Sequence, residues 1–339
     1  FGDGNTWQSI VGASVLLWFV HWLVLRGVQT AASINLVATL AKLLPLGLFV
    51  VLAMMMFKLD TFKLDFTGLA LGVPVWEQVK NTMLITLWVF IGVEGAVVVS
   101  ARARNKRDVG KATLLAVLSA LGVYLLVTLL SLGVVARPEL AEIRNPSMAG
   151  LMVEMMGPWG EIIIAAGLIV SVCGAYLSWT IMAAEVPFLA ATHKAFPRIF
   201  ARQNAQAAPS ASLWLTNICV QICLVLIWLT GSDYNTLLTI ASEMILVPYF
   251  LVGAFLLKIA TRPLHKAVGV GACIYGLWLL YASGPMHLLL SVVLYAPGLL
   301  VFLYARKTHT HDNVLNRQEM VLIGMLLIAS VPATWMLVG

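Results

Sequence analysis

Three ionisable residues lie deep inside long apolar stretches of this sequence. They are Lys42, Glu94 and Glu243, and no loop residues flank them closely. A charge at the centre of a bilayer costs at least about 2.5–3.5 kcal/mol, so such residues usually mark binding sites, ion pathways or buried ion pairs. The chemistry that they predict is the binding of a charged group or the passage of a proton.

Glu94 is the strongest candidate because two glycines, Gly92 and Gly95, lie beside it. Glycine disfavours a helix by about 1 kcal/mol relative to alanine. Backbone at membrane depth unwinds only where it is buried in protein or lines a cavity, and broken spans mark the binding sites of transporters. The segment therefore predicts a helix break with free carbonyls, a carboxylate and an aromatic side chain, Trp88. A close helix contact made through the glycines is the alternative.

Glu243 and Lys42 each precede a proline within an apolar stretch. Pro248 frees the carbonyl four residues before it, and Glu243 is expected to face the same cavity as Glu94 or to pair with Lys42. A structural ion pair inside the bundle is the alternative. Lys42 could act as a fixed cation in place of a sodium ion, or exchange a proton. Glu185 lies near the end of its stretch, so we expect it to reach water.

The elements that must position these residues are transmembrane helices. The sequence has 339 residues, of which 61% are hydrophobic and only 11% are charged, whereas soluble domains carry about 25% charged residues. A span needs about 20 mostly apolar residues. Hydropathy predicts ten spans in one transmembrane domain over residues 1–339: Ser9–Leu25, Ser33–Phe57, Thr82–Ser100, Ala112–Ala136, Ile162–Ala184, Ala211–Thr230, Thr236–Leu257, Ala267–Tyr281, Met286–Tyr304 and Met320–Val338.

Basic residues are distributed unequally between the two sets of loops. One set holds Arg26, Arg102, Arg104, Lys106, Arg107, Lys111, Lys194, Arg198, Arg202, Lys258, Arg262, Lys266, Arg306, Lys307 and Arg317, and the other holds Lys58, Lys63, Lys80, Arg137 and Arg144. The richer set is expected to be cytoplasmic. Phe1 would then lie outside without a signal peptide, which suggests that an odd number of spans precedes it.

Two loops are long enough to contain structure of their own. Arg137–Gly160 on the outer side is rich in proline and methionine, and we expect a short amphipathic helix there, either as a gate over the mouth or as a packed loop helix. Pro187–Asn204 on the inner side is polar and contains Pro197, which predicts a cytoplasmic connecting helix.

Enzyme chemistry, metal binding and nucleic-acid binding find no support in this sequence. The four cysteines and six histidines lack the spacing of metal ligands. No phosphate-binding loop follows a strand pattern. The net charge of +6 is explained by orientation in the membrane. We therefore expect no cofactor, no metal and no nucleic-acid partner. Membrane lipid and a small solute are the expected partners, and a homodimer is one assembly left open.

Four segments resemble the amino acid–polyamine–organocation (APC) transporters in order and spacing. They are Trp88–Glu94, Ser178–Glu185, Phe196–Arg202 and Leu246–Tyr249. Within that superfamily the sequence most resembles the basic amino acid/polyamine antiporters, and closest the arginine/ornithine antiporters of Gram-negative bacteria. The resemblance implies a LeuT-like fold of two inverted five-helix repeats with a broken first and sixth span. It places Phe1 just before the fourth span, so that three of about thirteen spans are missing here.

The resemblance also implies roles for individual residues. Trp88 would be an aromatic gate stacked on the substrate, and Trp179 a second aromatic contact. Ile91 would offer a backbone carbonyl, and Glu94 would belong to the gating or proton-linked network. Ala241 falls near a position where relatives use a serine, so that hydrogen bond would be absent. Glu243 and Lys42 are two further candidates for gating or proton-linked residues. They follow from their position inside the spans and not from the resemblance.

The implied function is exchange of cationic amino acids, arginine for ornithine, by alternating access in the bacterial inner membrane. Lysine/cadaverine exchange, polyamine exchange and proton-coupled amino-acid uptake are rivals within the same class. A membrane sensor or scaffold is the rival from a different class. The missing first span would supply substrate contacts in relatives, so the 339-residue chain alone is expected to be inactive.

Overall fold

The computed structural model describes residues 5–98, 100, 105–143, 146–232, 234–309, 315 and 317–338, and these are helical with short connections. In chain order the helices are α1 Trp7–Leu25, α2 Val28–Met56, α3 Leu59–Lys63, α4 Val75–Phe90, α5 Gly95–Val98, α6 Lys106–Val134, α7 Arg137–Glu142, α8 Ser147–Met156, α9 Pro158–Thr192, α10 Ser210–Thr230, α11 Tyr234–Ile259, α12 Pro263–Ser283, α13 Pro285–His309 and α14 Arg317–Val338. Phe1, Arg102, Arg104 and Arg144 lie outside the described residues.

Each predicted span coincides with helical structure, and the chain is an all-helical, multi-pass membrane protein. Within the described residues, seven helices are long and apolar enough to cross a membrane: α1, α2, α6, α9, α10, α11 and α12. The span predicted over Thr82–Ser100 is divided between α4 and α5. Helices α13 and α14 form a hairpin in which Arg306 forms an ion pair with Glu319.

Contacts between loops agree with the alternation that the basic residues predict. The Asn5 side-chain amide donates to the Gly231 carbonyl over 3.2 Å, at the start of α1 and the end of α10. At the opposite end of the same two helices, the Asn204 amide donates to the Leu25 carbonyl over 2.7 Å. Helices α1 and α10 are therefore antiparallel, as their predicted orientations require.

Helices α1, α9 and α10 share one buried cluster that supports the site. It consists of Val20, Val24, Leu177, Ile181, Ala184 and Leu213. Polar bonds cross the α1–α10 contact beside it: Trp18 Nε1 donates to Gln221 Oε1 over 3.0 Å, and His21 Nδ1 lies 2.8 Å from Asn217 Nδ2. Interhelical hydrogen bonds of this kind fix the register of membrane helices.

Helix α12 confirms the short, glycine-rich span that was predicted over Ala267–Tyr281, and it extends slightly beyond those bounds. A Cβ on Gly269 would lie 2.9 Å from Cγ of Leu257, and one on Gly276 would lie 3.1 Å from Cα of Phe250. The glycines let α12 approach α11 closely, which is how small residues stabilise helix pairs in membranes.

The connection after α9 differs from the sequence-based expectation, and the outer loop agrees with it. Helix α9 continues through Pro187 to Thr192, so the predicted separate connecting helix is replaced by the end of α9 and a single 3₁₀ turn over Arg198–Ala201. Glu185 is therefore well inside a helix and only 3% exposed, not water-facing as expected. On the outer side a loop helix does form: α8 packs through the fully buried Met152 against Phe49.

Candidate functional site

The centre of the candidate site is the break between α4 and α5. Helix α4 ends at Phe90, residues 91–94 form turns, and α5 begins at Gly95. Gly92 has a φ of +109°, a conformation that glycine adopts readily and that residues with a Cβ rarely adopt. Ile91 is extended, and no hydrogen bond within the described part of the chain engages its carbonyl. The predicted break is confirmed, and the carbonyl proposed for Ile91 is available there.

Tyr124 of α6 replaces a hydrogen bond that the break removes. In a continuous helix the Val93 N–H would donate to the Val89 carbonyl, but here it points to Phe90 over 3.3 Å. The Tyr124 hydroxyl donates to the Val89 carbonyl instead, over 2.9 Å, and its ring contacts Phe90 edge to face. A freed carbonyl at membrane depth is thereby satisfied by a neighbouring helix, as such breaks require.

Replacing Tyr124 by phenylalanine should destabilise the break without disturbing the packing. The ring contact with Phe90 stays, and one hydrogen bond is lost, which costs about 1 kcal/mol. We expect a lower melting temperature in detergent and a lower transport rate. Tyr304→Phe is the matched control, because Tyr304 is exposed on α13. Equal melting temperatures and rates for the two variants would show that the Tyr124 hydroxyl does not support the break.

The Glu94 carboxylate lies against the break and binds both sides of it. Its Oε2 accepts the Gly92 N–H over 2.9 Å and the Tyr249 hydroxyl of α11 over 3.1 Å. Its backbone carbonyl accepts the N–H groups of Val97 and Val98, which start α5. Glu94 therefore links the unwound segment, α5 and α11. A change in its charge or position is expected to affect all three.

Helix α9 covers the break with two side chains. Trp179 Cζ2 lies 3.0 Å from where a Cβ on Gly92 would be, and Met182 Sδ lies 2.6 Å from the same point on Gly95. Gly92 and Gly95 are three residues apart, as are Trp179 and Met182, so the face of α9 that carries these two side chains lies along the break. Trp179 remains 42% exposed.

Trp88 and Ala241 lie on the helices that flank the break. Trp88 is half-buried on the last turn of α4, and no ring contact joins it to Trp179 within the described residues. Ala241 is half-buried on α11. Its neighbour Ser242 is buried, and its hydroxyl lies 3.3 Å from the Leu84 carbonyl of α4, so it binds the scaffold instead of supplying the missing serine contact.

The carbonyl that Pro248 frees has a partner from outside its helix. The Tyr295 hydroxyl of α13 donates to the Met244 carbonyl over 2.6 Å, four residues before the proline. This confirms the predicted free carbonyl. Glu243, beside it, is 5% exposed.

Lys42 and Glu243 do not form the ion pair considered from the sequence. Helix α2 packs mainly against α9 and α6, whereas α11 packs against α12 and α4. Pro45, one turn after Lys42, lies against Gly167 of α9. Their helices share no substantial interface, and the salt bridges found among the described residues do not include one between Lys42 and Glu243.

Sequence reasoning missed the roles of three tyrosines. Tyr124, Tyr249 and Tyr295 each donate a hydroxyl hydrogen to an acceptor beside a helix irregularity. A tyrosine in the middle of an apolar span is itself a signal, because its buried hydroxyl needs a partner. The described residues contain no cluster of histidine, cysteine and carboxylate side chains suited to a metal ion.

Comparisons with known proteins identify relatives of this chain. Residues 1–327 match the family described as "Amino acid permease". The chain is 99% identical, over 339 residues, to a protein of Escherichia coli (strain K12) named "Putative arginine/ornithine antiporter", covering 100% of the chain and 74% of that protein. It is 45% identical to an arginine/ornithine antiporter of Pseudomonas aeruginosa over 90% of the chain and 67% of that protein. It is 41% identical to an arginine/agmatine antiporter of Chlamydia caviae over 92% and 68%.

Proposed function

The chain belongs to the amino acid permease family, and we propose that it takes part in exchanging arginine for ornithine across the bacterial inner membrane. It is a transporter, not an enzyme. The names of relatives that share 99% and 45% of its residues support this substrate pair. The structural observation that carries the proposal is the helix break at residues 91–94, where Glu94 accepts the Gly92 N–H and Trp179 lies against Gly92.

Each candidate residue has a role that its position supports. Trp179 offers an exposed ring face beside the break, and Trp88 offers a second indole one turn before it. A guanidinium or ammonium group is attracted to such faces by about 0.5–2 kcal/mol. The Ile91 carbonyl accepts a hydrogen bond from the substrate, and Glu94 attracts its positive charge. Ala241 on α11 leaves space for the substrate but offers it no side-chain hydrogen bond.

Glu243 and Lys42 are proposed for a supporting role away from these contacts. Glu243 lies buried on the helix that carries Tyr249, so we propose that it supports the contact of Tyr249 with Glu94 through α11. Lys42 is a fixed cation of the scaffold on α2, which packs on the helix that carries Trp179. Neither residue is proposed to touch the substrate.

The finer architecture that we propose is the LeuT-like pair of inverted five-helix repeats. In that scheme α1 and α2 are the fourth and fifth spans, and α4–α5, α6, α9, α10 and α11 form the second repeat. The antiparallel α1–α10 pair supports it, since these would be equivalent helices in the two repeats. A proline inside both α2 and α11 supports it further.

Alternating access follows from the way these helices contact the break. Substrate between Trp88 and Trp179 competes with Tyr249 for the Glu94 carboxylate, so binding loosens the link between the break and α11. Without a substrate cation the Tyr249–Glu94 hydrogen bond keeps the break linked to α11, which opposes reorientation of the empty carrier and so favours exchange over one-way movement. The first span of relatives would supply the contacts to the substrate's carboxylate and amino group.

Counterflow in proteoliposomes tests this proposal. The full-length protein, loaded inside with ornithine, should accumulate labelled arginine well above the level reached by empty vesicles. Lysine, putrescine and agmatine are loaded in parallel, because the rival assignments are lysine/cadaverine or polyamine exchange and a relative is named an arginine/agmatine antiporter. Uptake that needs only a proton gradient would favour a symporter. Ligand binding without any flux would favour a sensor, and would overturn the proposal.

A further inference from the structure

Helix α4 is attached to α6 and α7 at its two ends and not along its length. Its sides pack against α11 and α12, and among the described residues it shares no comparable interface with α6 or α7. At the break, the Tyr124 hydroxyl of α6 donates to the Val89 carbonyl of α4 over 2.9 Å. The opposite end of α4 lies about 24 Å away along its 16 residues, and a loop connects it to α7.

We call this loop, residues 57–74 between α2 and α4, the outer connection, because the charge distribution assigns it to the outside. Its start is fixed on the end of α6, where the Lys58 N–H donates to the Gly133 carbonyl over 2.9 Å. The Phe57 ring occupies the space that a side chain on Gly133 would take. Helix α3, within the connection, also packs on α6. The first half of the outer connection therefore lies on the surface of α6.

Asp65 lies at the sharp turn of the outer connection and joins it to α7. Its φ is +50°, a conformation that aspartate and asparagine adopt more readily than other residues with a Cβ. Its Oδ1 accepts the backbone N–H of Ala70 over 3.1 Å, and its carbonyl accepts that of Gly68 over 2.9 Å. Its Oδ2 forms an ion pair with the guanidinium of Arg137, the first residue of α7. The same carboxylate thus closes the turn and binds α7.

Gln78 continues this attachment to α4. Its side-chain amide donates to the Val73 carbonyl over 2.8 Å and to the Thr67 carbonyl over 3.2 Å. The second half of the outer connection is therefore folded against the first turns of α4. A path of bonded groups runs from Arg137 through Asp65 to the outer end of α4.

The surroundings of the Asp65–Arg137 ion pair strengthen it. The side chains of Arg137 and Asp65 are 26% and 16% exposed, so salt screens their attraction less than that of a fully exposed pair. Nε of Arg137 is buried and has no acceptor among the described residues. Loss of the Asp65 carboxylate would leave this guanidinium charge partly buried and without compensation, which disfavours separation of the pair.

We propose that the Asp65–Arg137 ion pair is an outer tether that makes α4 move together with α6 and α7 during exchange. The hydrogen bond from Tyr124 to Val89 is the matching tether at the break. The inference rests on the proposed function, because it adds two positioning residues to the helix that carries Trp88 and ends at the break. Neither Asp65 nor Arg137 touches the substrate. With both tethers intact, the outer end of α4 keeps its distance from α7 in every state of the cycle.

Distances between spin labels on α4 and α7 of the full-length protein test the tether. The labels replace Glu77 in the first turn of α4 and Glu139 in α7, both exposed, after the other cysteines have been removed. Pulsed electron–electron resonance should give one narrow distance distribution that added arginine does not shift. Asp65→Asn should broaden it. Asparagine keeps the backbone conformation and can still accept the Ala70 N–H, so this variant removes the charge alone.

Arg137→Gln should broaden the distribution in the same way. Combined with Asp65→Asn it should have no further effect, because both variants remove the same ion pair. The maximal rate of arginine exchange should fall about threefold in each variant, in line with the strength of a partly exposed ion pair, and the KM should stay unchanged. Arg306→Gln is the matched control. It removes an arginine from the ion pair with Glu319 between α13 and α14, and it should change neither the distances nor the rate.

Any of four results would overturn the proposal. A narrow distribution in both Asp65→Asn and Arg137→Gln would show that the ion pair does not hold α4. Equal broadening in Arg306→Gln would mean that the loss of any ion pair loosens the protein. A shift with arginine in the unchanged protein would mean that α4 and α7 move separately. A raised KM with an unchanged maximal rate would place the pair at the substrate.

The distances are also measured without substrate, so they test the tether even if the protein exchanges other solutes and the proposed function is wrong. Should Arg137→Gln not remain monodisperse, Asp65→Asn alone carries the test, because it preserves the turn of the outer connection.

Discussion

Replacing Gly92 by alanine should reduce exchange by more than tenfold while the protein still reaches the membrane. Gly92 has a φ of +109°, a backbone conformation that costs a residue with a Cβ about 1–3 kcal/mol. The added carbon would also lie 3.0 Å from Cζ2 of Trp179, so the indole must move away from the break. Both effects act where substrate is proposed to bind. The initial rate of labelled arginine uptake into ornithine-loaded proteoliposomes is the measurement.

Alanine substitutions at two further glycines serve as controls for this result. Gly122 lies on α6 with no atom within 4 Å of an added Cβ, so Gly122→Ala should leave transport unchanged and raise stability by up to about 1 kcal/mol. The transport rate of Gly95→Ala should lie between those of Gly92→Ala and Gly122→Ala. The added carbon would lie 2.6 Å from Met182 Sδ, but a methionine side chain can shift. If Gly92→Ala transports as fast as Gly122→Ala, the strained turn has no part in the site.

Replacing Glu94 by glutamine should leave expression near normal and weaken arginine binding roughly thirtyfold. The glutamine oxygen can still accept the Gly92 N–H and the Tyr249 hydroxyl, so the break keeps its hydrogen bonds. What is lost is the charge-assisted contact between the carboxylate and the substrate cation, which is worth about 2 kcal/mol and corresponds to roughly thirtyfold in affinity. Transport should also vary less with pH, because an amide does not titrate.

Controls separate the charge of Glu94 from its hydrogen bonds. Tyr249→Phe removes one hydrogen bond and keeps the carboxylate, so it should lower the transport rate and preserve the pH dependence. Glu161→Gln makes the same chemical change on the exposed outer end of α9 and should have no effect. Poor expression of Glu94→Gln with unaltered pH dependence would mean that Glu94 is structural. Unaltered transport at every pH would shift the gating role to Glu243.

The parts of the structure that follow from short stretches of sequence could be predicted. Apolar length located the helices, including α12, and Gly92 and Gly95 located the break. Pro248 located the free carbonyl of Met244. In each case the cause lies within a few residues of the effect, because helix propensity and the loss of a backbone donor are local properties.

The partners of these features could not be predicted, because they come from distant parts of the chain. Tyr124 is 35 residues from Val89, and Tyr249 is 155 residues from Glu94. Hydropathy predicts that these tyrosines lie in membrane spans, but it does not predict which neighbouring helix each of them contacts. The burial of Glu185 was missed for a related reason: Pro187 suggested a helix end, whereas a membrane helix tolerates a proline when neighbouring groups satisfy the freed carbonyl.

The length of α9 gives the molecule a mechanical property. Its 35 residues extend about 52 Å, well beyond the roughly 30 Å of the hydrocarbon layer. One end meets the outer loop helix α8, the middle carries Trp179 over the break, and the other end carries the turn over Arg198–Ala201. The break therefore lies near the middle of a helix whose two ends belong to opposite sides of the protein. If α9 tilts as one body about the break, its two ends move in opposite directions, and we expect this motion to open the two sides of the protein in turn and not together.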